Sequence, residues 1–263
     1  MLKAALAAGF DVWVNDVRSD ILREATSHGS HGAATPREVA QHSDIIAVVV
    51  KGDDQVEQVV LGKEGILAGA RSSQVLIIHT TVHPRTILKI ASHASQSEVD
   101  VIDAPMTGGQ EGAKEHKLCF MVGGSVNSIE RVRPLLQLSA SEIYRVGGIG
   151  AGAVTKLVQQ VIFCLNRLAA YEGMRLAEAY RLDLETVQRV LHDTPAQSFV
   201  SDNWLARYRI LKEDEDPPGW TIEEFARLLL TLTPAIELGR ELGVPLPATA
   251  LVQQLFPVQS NHK

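Results

Sequence analysis

Two stretches of the chain hold side chains of the kind that grip carboxylates and move protons. The first, Asp103-Ala104-Pro105-Met106-Thr107-Gly108-Gly109, follows a predicted strand. The second, Gly150-Ala151-Gly152-Ala153-Val154-Thr155-Lys156-Leu157-Val158-Gln159-Gln160, opens a long predicted helix. Gly108 and Gly109 let backbone amides approach a carboxylate, and the Thr107 hydroxyl adds a hydrogen bond. Taken alone, Thr-Gly-Gly after a strand is equally a turn. Lys156 stands one turn inside its helix, between Val154 and Leu157. Desolvation there disfavours the ammonium and brings a lysine toward the working pH of a proton donor to a carbonyl. Isolated helical lysines are mostly surface charges. What singles out Lys156 is its place about fifty residues after Thr107, where the helical half opens.

The elements that must position these residues fall into two halves. Val12–Val14, Ile45–Val50, Val75–Ile78, Val101–Ile102 and Phe120–Val122 are predicted strands. Their near-continuous apolar runs point to burial on both faces, as in a parallel sheet. Between them Asp20–Ser27, Pro36–His42, Asp54–Val60 and Pro84–His93 are long enough for helices. Past the glycine cluster from Gly147 to Gly152 the character changes to helix: Ala153–Arg181, Asp183–Asp193, Val200–Arg209, Ile222–Leu242 with a kink at Pro234, and Pro247–Phe256. The acidic segment Lys212–Pro218 reads as a loop, and Glu172 and Arg175 as a surface i,i+3 pair. An α/β domain over 1–147 followed by an all-α domain over 148–263 is the expected architecture.

Composition removes several classes of function. The 263 residues carry a formal net charge of −6 and no basic stripe, so nucleic acid is not an expected partner. The two cysteines, Cys119 and Cys164, lack metal-ligand spacing and fit a reducing compartment. No apolar run is long enough for a bilayer, so no membrane partner is expected and a cytoplasmic location follows by default. His28 and His31 sit in a Gly/Ser turn, and His79 and His83 lack acidic or thiol partners at ligand spacing, so no metal site is expected.

Strand, helix and strand with an acidic residue just past the second strand is the pattern of a Rossmann dinucleotide-binding domain. Asp16 holds that acidic place, where a carboxylate accepts both ribose hydroxyls of NAD and repels the 2′-phosphate of NADP. A turn aspartate before a helix fits the local sequence nearly as well. NAD is the expected cofactor, with NADP left open because Arg18 offers a charge two residues on. Read this way, the chain opens inside the first helix. A first strand and its glycine-rich phosphate loop are then missing: either they are expected ahead of Met1 or the chain is a remnant, and without that central strand two sheet edges stand exposed.

The motif from Asp103 to Gly109 is similar to the Asp-x-Pro-(Val/Met)-(Ser/Thr)-Gly-Gly motif of the β-hydroxyacid dehydrogenases. The glycine-opened helix start resembles that family's Gly-x-Gly-x-x-x-Lys-Leu segment. Ile78-His79-Thr80-Thr81-Val82-His83-Pro84 resembles its Asp-x-Ser-Thr-x-x-Pro stretch, and Gly62–Ile66 and Gly243–Pro247 match in order and spacing. The resemblance implies an NAD(P)-linked oxidoreductase acting on a small 3-hydroxy acid, assembled as a homodimer or homotetramer through the long helix. It implies that Thr107, Gly108 and Gly109 bind the substrate carboxylate, that Lys156 is the general acid/base, that Gln160 holds the alcohol oxygen, and that Asp16, Val50 and Thr81 lie against the cofactor. Three departures stand out: the glycine loop, a glutamine where the family usually has asparagine, and Leu230-Thr231 where it has Lys-Asp. They keep open a non-catalytic relative that retains the fold and its association surface. A reductase of imines or aldehydes is a third reading, against which Thr107-Gly108-Gly109 argues.

Overall fold

Strands and helices are interspersed until the long helix begins. In a computed structural model that describes residues 1–208, 210–211, 220–221, 229 and 231–255, the order is α1 (Leu2–Ala7), β1 (Trp13–Val14), α2 (Ser19–Ser27), β2 (His31–Gly32), α3 (Pro36–His42), β3 (Ile45–Val48), α4 (Gly52–Leu61), α5 (Ile66–Gly69), β4 (Val75–Ile78), α6 (Pro84–Ala94), β5 (Asp100–Asp103), β6 (Met106–Thr107), α7 (Gly109–Lys114), β7 (Leu118–Gly123), α8 (Val126–Gln137) and β8 (Ala140–Gly147). Then come α9 (Ala151–Ala179), α10 (Leu184–His192), α11 (Phe199–Asp202), β9 (Ile210–Leu211), β10 (Trp220–Thr221), α12 (Thr233–Glu241) and α13 (Pro247–Leu255). Contacts divide the chain into two units, Met1–Lys156 and Leu157–Lys263.

In the first unit β3, β4 and β5 run parallel, β7 lies antiparallel beside β5 and β6, and β8 is parallel to β7. β1 and β2 form a separate parallel pair. Period-two alternation sorts the core: Leu76 and Ile78 pack with Ile46, Val48, Val56, Ile87 and Ile90, while Val75 and Ile77 pack with Ile102, Phe120, Ile129 and Val132. Burying each such side chain is worth roughly 1.5–3 kcal/mol, so β4, buried at all four positions, anchors both layers. Helix starts are capped by sequence. Thr35 accepts the Glu38 amide while Glu38 reaches back to the Ala34 amide, and Ser125 accepts from Ser128. In the second unit one cluster gathers Cys164, Leu229, Leu232, Ile236 and Val252, and another gathers Met174, Val200 and Trp204.

The architecture is the expected one, with local corrections. β2, β6 and β8 lack an apolar run, and tertiary pairing makes them strands regardless. β3 leaves Ala47 exposed, so it is not buried on both faces. The helical half contains the two-residue parallel pair β9 and β10. Pro234 occupies the first turn of α12, where its missing N–H is no loss, so it starts a helix instead of kinking one. The remainder of the predicted helix over 222–242, the segment Lys212–Pro218, Arg209 and Phe256 lie wholly or mostly outside the described residues. Arg175 pairs with Glu178 at 4.0 Å and lies over the Tyr171 ring, a different surface pairing from the one predicted with Glu172.

Candidate active site

β5 carries the first motif to the sheet's carboxyl end. Asp103 closes the strand fully buried, Ala104 and Pro105 turn the chain, and β6 places Thr107 directly opposite Cys119 of β7. Gly108 follows with φ +124°, a conformation that side-chain-bearing residues rarely adopt, and Gly109 with φ +62° begins α7. Gly108 and Gly109 are both exposed, so the turn expected here is present.

α9 begins at Ala151, after β8. Its first turn lies against β5 and β7, and Lys156 follows one turn in, buried at 7% exposure. Burial pushes the Cys119 thiol up; Glu142 adds to the effect, and the Lys156 charge pulls the other way. Lys156 is therefore within electrostatic reach of the residue paired across from Thr107. Four residues along the same helix, Gln160 is also buried, and within the second unit its Nε2 donates to the Thr231 hydroxyl at 2.9 Å. Leu230, the other half of that departure, lies outside the described residues.

The carboxyl ends of β3 and β4 are knitted together by a residue not singled out from sequence. The Thr80 hydroxyl accepts the Val50 amide at 3.0 Å and donates to the Val50 carbonyl at 3.1 Å. Asp53 accepts the His83 amide at 2.9 Å and the Thr86 hydroxyl, fixing the start of α6. Val49 is left 65% exposed beside Val50, with Thr81 half-buried on the neighbouring strand end. Asp16 is half-buried past β1, and its Oδ1 accepts the Arg18 amide at 2.8 Å, so it does close a turn. The Arg18 guanidinium is engaged by Asp20 at 2.7 Å.

Asp103 and His79 are two further buried polar residues whose parts the sequence did not disclose. Asp103 accepts the Gly150 and Ala153 amides, each at 2.7 Å. Burial pushes its carboxyl above the usual range, against the pull of those amides. His79 Nδ1 bonds the Ala104 carbonyl at 2.7 Å; full burial lowers the imidazole to about 4. Its ring lies 5.5 Å from that of Phe120. Asp103 stood in the motif, but nothing local tied it to amides 47 and 50 residues later. Among the described residues no group of acidic, histidine or cysteine side chains could hold a metal, and no helix is long and apolar enough to cross a membrane.

Comparison with known families matches this corner and its surroundings. Residues 1–148 match the model of the NAD binding domain of 6-phosphogluconate dehydrogenase, and residues 150–263 that of the NAD-binding region of NADP-dependent 3-hydroxyisobutyrate dehydrogenase. The chain belongs to the β-hydroxyacid dehydrogenase family. Members of that family are NAD(P)-dependent oxidoreductases, and NAD(P) is accordingly the cofactor class here. Among β-hydroxyacid dehydrogenases, 2-hydroxy-3-oxopropionate reductase of Escherichia coli (strain K12) is 30% identical over 249 residues, 95% of this chain and 83% of the relative. The 2-(hydroxymethyl)glutarate dehydrogenase of Eubacterium barkeri is 29% identical over 251 residues, 95% and 82% of the two chains. The fold matches 3-hydroxyisobutyrate dehydrogenase of Mycobacterium tuberculosis, solved with L-serine, at a TM-score of 0.81 and 20% identity, covering 97% of this chain and 87% of that one.

Proposed function

We propose that the chain moves a hydride between the hydroxyl-bearing carbon of a small 3-hydroxy acid and a nicotinamide, with NAD preferred to NADP. The observation that carries this reading is Lys156, buried one turn into a helix whose opening amides bond Asp103, four residues before Thr107. The bound nicotinamide supplies the two-electron acceptor or donor for the hydride. Lys156 Nζ takes the hydroxyl proton as the carbon–oxygen bond becomes a carbonyl, and returns it in reduction. Thr107 and the amides at Gly108 and Gly109 hold the substrate carboxylate, leaving the adjoining carbinol directed at the lysine. The Gln160 amide has two N–H donors, enough to serve both Thr231 and the alcohol oxygen.

Asp16, Val50 and Thr81 are the proposed cofactor contacts. The preference for NAD rests on Asp16 and on Arg18 being engaged by Asp20, away from any 2′-phosphate. Residues 1–147 serve as the dinucleotide domain, and 148–263 as the helical domain that associates in a homodimer or homotetramer. Titration with NADH and NADPH, read by fluorescence and thermal shift, followed by turnover on a panel of 3-hydroxy acids, tests the proposal. Tighter NADH binding and oxidation of at least one such acid are expected. A folded chain that binds neither dinucleotide would instead be a relative that keeps the fold without catalysis.

A further inference from the structure

We infer that Asp103 is a positioning residue: its buried carboxylate ties the substrate loop to the first turn of α9 and so fixes where Lys156 stands. The inference rests on the reading of Lys156 as the acid/base. Both oxygens of Asp103 are used on that turn, Oδ1 by the Gly150 amide and Oδ2 by the Ala153 amide, each at 2.7 Å. These amides belong to the opening of a helix, where backbone donors have no partner within the helix and the dipole favours a negative charge. Ala153 precedes Lys156 by three residues, one turn.

The fit is close on every side. A Cβ at Gly152 would collide with the Met121 carbonyl and come within 2.7 Å of the Asp103 carbonyl and 2.8 Å of Oδ2. A Cβ at Gly123 would lie 2.5 Å from Asp103 Oδ1 and 2.8 Å from the Gly152 amide. The two glycines remove side chains so that the helix start can rest on β5 and β7 against the Asp103 carboxylate. On its other side the loop is held by His79 at the Ala104 carbonyl. A carboxylate is the side chain that offers two acceptors at this reach. Asparagine keeps one acceptor and turns an N–H toward a backbone N–H; alanine keeps none.

The test compares Asp103→Asn, Asp103→Ala, Lys156→Met and the double variant Asp103→Asn/Lys156→Met by steady-state kinetics. In the unliganded protein it adds backbone amide NMR of Gly150 and Ala153 across acid pH. Asp103→Asn is expected to lower kcat about tenfold or more while the KM for the dinucleotide stays within about twofold, and Asp103→Ala to lose more. In the Lys156→Met background Asp103→Asn is expected to cost nothing further, which a merely structural aspartate would not produce. The two amide resonances should move together with one midpoint as Asp103 is protonated, a readout that survives even if the variants do not fold. Wild-type kcat in folded Asp103→Asn, additive losses in the double variant, or amides that ignore the titration would each overturn the inference alone. Full turnover in Lys156→Met would overturn the reading of the lysine, and this inference with it.

Discussion

Two histidines show how differently the chain uses one side chain. His79 lies at the end of β4 inside the first unit, fully buried, with Nδ1 on the Ala104 carbonyl; burial lowers it to about 4. His192 ends α10 in the second unit, exposed, with Nδ1 3.0 Å from Asp202 Oδ1. Asp202 holds it above the ordinary imidazole range. A cleft of about 410 Å³ adjoins it, lined by Gln188, Arg189, Asp193 and Asp202. The aspartates differ in the same way. Asp103 is pushed up by burial, whereas Asp202 is pulled down, mostly by the hydrogen bond from His192. In the first pair solvation dominates and each group leans toward neutrality; in the second, water screens both and the partner decides the sign. Rigid placement belongs to the buried pair, and that is where the proposed lysine stands.

The sharpest way to break this contrast is to disturb the buried junction without touching a charge. Gly152→Ala puts a methyl group against two backbone carbonyls and a carboxylate. Since the backbone there cannot move aside without unseating the start of α9, a loss of about 3 kcal/mol or more is expected in urea unfolding. A loss under about 1 kcal/mol would mean that the junction is soft. In kinetic terms Lys156→Met should reduce turnover about a hundredfold or more, with dinucleotide binding retained.

Acid sharpens the comparison next. Because the folded-state value of His79, about 4, lies below its ordinary 6.5, the native chain favours the neutral ring. Its contribution is therefore complete above pH 6.5 and is lost as pH falls from there through about 4. A shift of that size corresponds to roughly 3 kcal/mol at most. Asp103 has the opposite sign: its raised value favours the protonated carboxyl, so its penalty is relieved as pH falls. His79→Leu is expected to lower stability at neutral pH, since Ala104 loses a donor, while flattening the decline between pH 6.5 and 4. An unchanged slope in denaturant titrations would show that His79 does not carry it.

How much of this was legible beforehand differs between the same two regions. The motif, the long helix and Lys156 could be read because glycines and apolar periodicity leave local marks. Val75–Ile78 was readable as a strand because all four residues are buried. The link from Asp103 to Ala153 spans 50 residues, and the clasp from Thr80 to Val50 spans 30, so neither leaves a local pattern. β8 was missed because its residues are half-exposed or exposed, and only pairing with β7 makes it a strand. The cluster around His192 gave no signal either, since Gln188, His192, Gln197 and Asp202 follow no motif spacing and meet only when α10 packs near α11.

A smaller effect is expected at the cofactor end, where the side chains are again half-exposed. Replacing Asp16 by Ser removes the carboxylate that would repel a 2′-phosphate, and should narrow the preference for NADH over NADPH by about tenfold. An unchanged ratio would leave Asp16 with its turn at Arg18 and nothing more.

The smallest effect belongs to the exposed pair. Asp202→Asn removes both the acceptor and the charge that hold His192 up, so the imidazole should titrate closer to its ordinary value, as followed by ring-proton NMR. By linkage, a histidine raised in the folded state adds stability below its unfolded value and loses it as pH rises through the folded one. Asp202 is lowered and works in the opposite window, adding stability above its unfolded value and losing it in acid. Where the two windows overlap the pair is ionised, yet both side chains stay in contact with water, so the melting temperature should barely move on mutation. A large drop would show that the Asp202 side chain, with its bonds from Gln197 and His192, does for α10 and α11 what Asp103 does for the start of α9. The contrast between buried placement and solvated pairing would then fail at its weaker end, while the case for the junction at Asp103 would be untouched.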